Sequence, residues 1–239
     1  MISEVKSKIW YLKHFDLFSE LPGEDLKLLD QISRMVKVPK KEYIYFPEDP
    51  ANSVFLLKEG RVKISRLTED GRELTLALLK PREVFGELAL VEEGDRHTLA
   101  EALEETLICV IKREDFRRLM KKQPDVAFKM IKLIGLRRRA IESKIEYLLF
   151  RDVPTRLAHL LLTLAEEYGV KTSEGTELRV RLTHQDIANL IGATRETTTM
   201  VLNKMKDQHL IDFKLRRLIL VDKSRLQYLA KASNGRGFG

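Results

Sequence analysis

Arginine followed at once by glutamate, Arg195-Glu196, opens a helical stretch just after Gly192-Ala193-Thr194. Those two side chains carry the chemistry of base recognition: a guanidinium forks onto O6 and N7 of guanine, and a carboxylate accepts from N4 of cytosine. A second constellation lies upstream, in Phe85-Gly86-Glu87-Leu88-Ala89 with Arg96 ten residues after Gly86. Backbone amides at a short glycine-bounded helical turn, joined by a guanidinium, make a cradle for a phosphate. Each pattern also has a plainer reading, as a solvated helix face and as a Gly-Glu turn beside an exposed arginine. No nucleophile, base and orienting group fall together, so an enzyme is not expected. The five histidines show no metal-ligand spacing, and the single cysteine, Cys109, excludes an internal disulfide or a four-cysteine metal site within one chain. In its apolar run, residues 107–111, Cys109 reads as a buried strand residue rather than a reactive thiol.

The elements that must position Arg195 and Glu196 are legible around them. Thr183 suits an N-cap with Asp186 as the acceptor three residues on, and Ile187, Leu190 and Ile191 recur at helical spacing. Gly192 supplies a left-handed turn, and Thr194 caps a second helix whose buried side is Thr198, Val201, Leu202 and Met205. The opposite side carries Arg195, Glu196, Thr199 and Lys204. Residues 182–202 therefore predict a helix-turn-helix, whose second helix enters the major groove of DNA. A plain helical hairpin fits the same spacing. A two-stranded wing is expected at residues 210–215 and 218–222, with Arg216 and Arg217 at its tip touching phosphates. The candidate DNA-binding set is Thr183, Gln185, Thr194, Arg195, Glu196, Thr197, Thr199, Met200, Lys204, Arg216 and Arg217.

Upstream, residues 4–34 read as helical, with a break at Leu21-Pro22-Gly23-Glu24. Short β-rich runs follow at 42–46, 54–58, 61–67, 73–79 and 107–111. Val62 and Ile64 alternate with Leu74, Leu76 and Leu78 across the Asp70-Gly71 turn, which marks a hairpin. Strands at this spacing imply a small barrel or double-sheet roll. Residues 112–149 contain a long helix starting near Pro124-Asp125. Ala127, Ile134, Ile141 and Leu148 fall at intervals of seven, with Ile131 and Ile145 on the adjacent edge, so these six form a candidate homodimer seam. Packing onto the chain's own roll is the alternative, and Arg137-Arg138-Arg139 interrupts the seam. After Arg151–Pro154, a candidate hinge, come a helix over 155–168, a strand within 172–182, the helix pair, the wing and a disordered tail from Ser233. The fold class is α+β: a double-stranded β-roll of jelly-roll type with N-terminal helices (1–111), a dimerisation helix (112–150) and a C-terminal winged helix-turn-helix (151–239).

Composition suits a soluble globular chain of 239 residues, 44% hydrophobic and 33% charged, long enough for two domains. No apolar run reaches membrane-span length and the first residues lack a signal profile, so a cytoplasmic location and no membrane partner are expected. The net charge of +7 is uneven: residues 151–239 hold 15 Lys/Arg against 10 Asp/Glu, and residues 1–150 hold 28 against 26. The C-terminal third is the basic part, as a phosphate-facing module requires.

Roll, phosphate-type cassette, long helix and winged helix-turn-helix in that order resemble the Crp/Fnr family of transcription regulators, over about residues 12–225. The resemblance implies a cyclic-nucleotide-binding-like roll and a symmetric dimer on a palindromic, TGTGA-like DNA site. It also implies contact with RNA polymerase through residues 68–71 and 168–175. Gly86 and Glu87 match positions where glutamate holds a ribose hydroxyl, and Arg96 matches the arginine that neutralises the phosphate. Leu88 completes that cassette and Arg137 matches a pocket arginine. Departures follow: His97 replaces the usual Ser or Thr, and Ile141-Glu142 replace a Thr-Ser pair that reads adenine. These eight residues are the candidate effector site. The departures favour no small effector, or an unidentified one, over a cyclic nucleotide, with haem or iron–sulfur sensing last. On the second helix, Met200 stands where relatives carry a third base-reading arginine, which relaxes preference at one position. A cyclic-nucleotide module of a kinase or channel would describe the roll alone. Activation and repression both stay open.

Overall fold

The computed structural model describes residues 8–91, 94–214 and 217–231. It divides into two compact units, residues 1–139 and 140–239. In the first, α1 (Lys8–Lys13), a 3-10 turn (Asp16–Phe18) and α2 (Gly23–Ile32) lead directly into β1 (Ser33–Val38). The helical reading of residues 4–34 is thus corrected at its end, because Ser33 and Arg34 already pair as strand with Ile111 and Val110; its first residues, 4–7, lie outside the described ones. There follow β2 (Tyr43–Tyr45), β3 (Ser53–Glu59), β4 (Val62–Leu67), β5 (Glu73–Leu79), β6 (Val84–Phe85), β7 (Leu99–Ala102) and β8 (Thr106–Lys112). Two four-stranded antiparallel sheets result, ordered β1-β8-β3-β6 and β2-β7-β4-β5.

The run Val54-Phe55-Leu56-Leu57 on β3 is apolar without alternation because both its faces are covered. Phe55 and Leu57 turn into the space between the sheets with Val62, Leu79, Phe85, Ala100 and Ile108. Val54 and Leu56 turn outward onto a second core with Leu12, Phe18, Leu29, Phe116 and Met130 from the helices. β8 divides in the same way. Its Cys109 faces the helices, fully buried, and burial pushes the thiol pKa up to about 11.

The β4–β5 hairpin is present, but its alternation is not the expected one. Ile64 pairs with Ala77 and Ser65 with Thr75, so Leu76 is an extra residue and the strand bulges there. Val62 and Leu79 are consequently buried in the core with the half-buried Ile64 and Ala77 packed against it, while the half-buried Leu74, Leu76 and Leu78 are not part of it.

The long helical region is two helices, α3 (Arg113–Lys122) and α4 (Pro124–Phe150), separated at Gln123. The buried Asp25 of α2 fastens this break, accepting from Lys122 Nζ and Gln123 Nε2 at 2.6 Å each. The unit boundary at Arg139/Ala140 falls inside α4.

In the second unit, α5 (Val153–Tyr168) is capped by Asp152, whose side chain accepts from Thr155 N at 2.9 Å, with Pro154 in the first turn. A hairpin of β9 (Gly169–Thr172) and β10 (Gly175–Leu178) replaces the single strand expected over 172–182. Next come α6 (His184–Ile191), α7 (Arg195–Asp207), β11 (Ile211–Lys214), β12 (Arg217–Leu220) and α8 (Lys223–Lys231), which the periodicity left unassigned. The sheet order is β11-β12-β10-β9. Arg217 lies in β12 opposite Lys214 rather than in the turn. Arg216, and the tail from Ser233, lie outside the described residues.

Candidate nucleic-acid interface and sensor pocket

α6 starts because two side chains satisfy its free amides reciprocally. Asp186 N donates to Thr183 Oγ1 at 3.1 Å, and Thr183 N donates to Asp186 Oδ2 at 2.8 Å. The helix stops at Gly192, which is left-handed at φ +61°. Arg156 of α5 secures this end, its Nη1 donating to Ile191 O at 2.5 Å and Gly192 O at 3.3 Å. Thr194 then caps α7, accepting from Thr197 N at 3.2 Å. Thr198, Val201, Leu202 and Met205 are buried, which aims the opposite side outward.

That open side presents Arg195, Glu196, Met200 and Lys204, with Met200 64% exposed. Asn203 is exposed among them; its spacing of seven from Glu196 and three from Met200 was the available signal, and spacing alone did not mark it as functional. Thr199 does not belong to the open side as expected. It is half-buried, and its hydroxyl meets His184 Nδ1 at 2.9 Å. Thr183, Thr194 and Thr197 are all used in caps, and the exposed Gln185 donates to Asn189 Oδ1 at 2.8 Å. On the wing, Arg217 pairs with Glu177 at 2.5 Å and Lys214 with Glu174 at 2.5 Å. Arg179 and Arg181, just ahead of α6, are exposed.

In the first unit the cassette forms around Gly86, left-handed at φ +68°, which starts a short 3-10 helix over Glu87–Leu90. Arg96 is buried, with its guanidinium 4.2 Å from the Tyr45 ring centre and 5.0 Å from that of Phe55. Nη2 donates to Ser53 O at 2.8 Å, and no carboxylate of the described residues pairs with it. Burial lowers its pKa, opposed by the charges of Tyr45, Asp49 and Glu87. A Cβ on Gly86 would stand 2.9 Å from Arg96 Nη1, so glycine is what admits the guanidinium here. Glu87 is also buried but is taken: Arg137 Nη1 lies 2.5 Å from its Oε2, and Arg137 donates to Val84 O as well. His97 and Leu88 are exposed. Six of the eight candidate effector residues thus lie in the first unit, while Ile141 and Glu142, both exposed, belong to the second.

Along α4, Ile131, Ile141 and Ile145 are exposed, and so are Phe128 and Leu149, which the seven-residue count missed. Ala127 is half-buried. Two members of the expected seam have partners in their own unit: Ile134 packs on the helical core, and Leu148 approaches Gly192, where an added Cβ would come within 2.8 Å of its Cδ2. Among the described residues, no helix is long and apolar enough to cross a membrane.

A roll with a buried arginine in a glycine-started cassette, followed by a capped helix-turn-helix and wing, is the architecture of a two-domain regulator. Residues 35–123 match the cyclic nucleotide-binding domain and residues 155–229 the Crp-like helix-turn-helix domain. The chain is 36% identical over 205 residues to the global nitrogen regulator of Synechococcus elongatus, covering 84% of this chain and 90% of that one. It is 31% identical over 217 residues to the CRP-like cAMP-activated global transcriptional regulator of Mycobacterium tuberculosis, covering 90% and 96%. A mutant of CooA from Carboxydothermus hydrogenoformans superposes with a TM-score of 0.71 at 29% identity, over 90% of this chain and 94% of that one. The chain belongs to the Crp/Fnr family of transcription regulators. Its relatives are regulators, not enzymes.

Proposed function

We propose that this regulator acts as a homodimer on a palindromic site with TGTGA-like half-sites, each α7 lying in a major groove roughly 34 Å from the other. The observation that carries this reading is the exposed first turn of α7, where a capped helix projects Arg195 and Glu196 away from a buried opposite face. Arg195 reads guanine, Glu196 accepts from cytosine, and Met200 touches a thymine methyl where it cannot donate a bond. Thr183, Gln185, Thr194, Thr197 and Lys204 border the groove, and Arg217 faces a phosphate. Two copies pair through the exposed apolar residues of α4, Ile131, Ile141 and Ile145 among them. RNA polymerase is met by the 68–71 turn and the β9–β10 turn. The protein works in the cytoplasm.

The engagement of Glu87 by Arg137 supports activity without cyclic AMP, since the carboxylate that would hold a ribose is already paired. A cyclic-nucleotide-responsive reading is the second one, favoured by the Arg96 guanidinium, which pairs with no carboxylate among the described residues. A mobility-shift titration on a palindromic probe, with and without cyclic AMP, tests both. A sequence-specific shift indifferent to cyclic AMP is expected. A shift only with cyclic AMP would select the second reading, and no specific shift under either condition would overturn DNA recognition.

A further inference from the structure

In the second unit, a cavity of about 250 Å³ penetrates between α5, α6 and the wing sheet. Leu161 and Leu164 of α5, Ile187 of α6 and Leu218 of β12 lie beneath it as a closely packed floor, 0–8% exposed. Leu182, His184 and Phe213 line it too but are half-buried, so they mark the side that reaches the surface. Folded interiors rarely leave room for more than a water molecule, so a largely apolar cleft of this size can take an apolar guest.

Among the described residues, His184 is the only ionisable one lining the cavity. Its Nδ1 is bound to Thr199 Oγ1, its other nitrogen makes no hydrogen bond among the described residues, and its ring lies 6.1 Å from that of Phe213. An apolar wall with one hydrogen-bonding group is the usual composition of a small-molecule site. Two rings at the mouth favour a flat guest that can pack against them, and the lack of any other charge disfavours an ionic one.

We infer that this cavity binds a small neutral aromatic molecule carrying one hydrogen-bonding group, of the indole or phenol class. The guest's polar atom meets the free nitrogen of His184, and its ring lies between the leucines and Phe213. Because His184 is bonded to Thr199 on α7, occupancy bears on the helix that presents Arg195. This last step rests on the proposed reading of α7, whereas binding itself does not.

The test is a methyl-resolved NMR titration of the full chain with indole. Saturable shifts are expected at Leu161, Leu164, Ile187 and Leu218, with Kd of about 1 mM or tighter, and no shift at Ile108 in the roll. Benzoate, a charged ring, should bind about tenfold more weakly, and Leu164→Phe, which fills the cavity, should weaken indole by about tenfold or more. Linear, unsaturable shifts, or shifts centred on the exposed residues of α4, would overturn the inference. So would undiminished affinity in a folded Leu164→Phe variant; if that variant fails to fold, the wild-type shift map decides alone. Saturating indole should change the affinity for a palindromic probe by about threefold or more. Saturable binding in the cavity with unchanged DNA affinity would refute the coupling to α7 and leave the site standing. Failure to bind DNA at all would refute the reading of α7 and leave the indole result unaffected.

Discussion

Arg137 of α4 reaches Glu87 beside the roll cassette, its Nη1 lying 2.5 Å from Oε2. The pair joins groups fifty residues apart, one of them buried, so breaking it leaves a carboxylate or a guanidinium poorly compensated. Glu87→Gln should lower stability by about 1–3 kcal/mol in denaturant titration. Restoring a pair by exchanging the two residues should recover part of the loss. A Glu87→Gln chain as stable as the parent would show the pair to be ornamental, and would return Glu87 to service as a ligand group.

Arg195→Ala should cost ~1–3 kcal/mol at a single G·C pair of each half-site and flatten the preference there. Competition titrations with probes altered one position at a time measure this. Equal loss of affinity on every probe would move Arg195 from base reading to phosphate binding.

The exposed apolar residues of α4 predict that Ile131→Glu with Ile145→Glu converts the protein to a monomer in sedimentation velocity. Affinity for a full palindrome should then fall by about 100-fold, since the second half-site no longer binds as an intramolecular event. A double variant that sediments as the parent does would place the interface elsewhere.

The Asp25 carboxyl is held below the usual carboxylate range, chiefly by the hydrogen bond from Lys122 and also by Gln123, against the opposing effect of burial. The unfolded chain therefore takes up this proton more readily than the folded one. Stability from the contact is present above the ordinary carboxylate pKa of about 4 and is lost as pH falls through the lower folded value. The difference in unfolding free energy between the parent and Asp25→Asn should be flat near neutrality and shrink in acid. A difference that stays constant into acid would exclude this origin.

The parts of the fold readable in the sequence are those governed by short-range chemistry. Thr183 with Asp186, Gly192, and Thr194 with Thr197 act over three or four residues, so spacing alone specifies the start and stop of α6 and the start of α7. The β-roll was legible only where a run was long enough to show a pattern. β6 has two residues, β7 is Leu-Ala-Glu-Ala, and the Leu76 bulge moves the apolar register of β5 by one. Heptad counting on α4 picked Ile134 and Leu148, yet a helix that serves two units spends some apolar positions on its own chain. Contacts such as Thr199 with His184, or Arg217 with Glu177, join residues 15 and 40 apart and leave no periodic trace.

The wing pairs also bear on how binding would respond to salt. Lys214 and Arg217 already hold Glu174 and Glu177, so a phosphate arriving there displaces a tethered carboxylate instead of a mobile anion. Affinity rises in dilute buffer through the ions that a complex sets free. A wing neutralised in advance frees few, so Lys214 and Arg217 would translate into a shallower ionic-strength dependence than a tally of positive residues suggests.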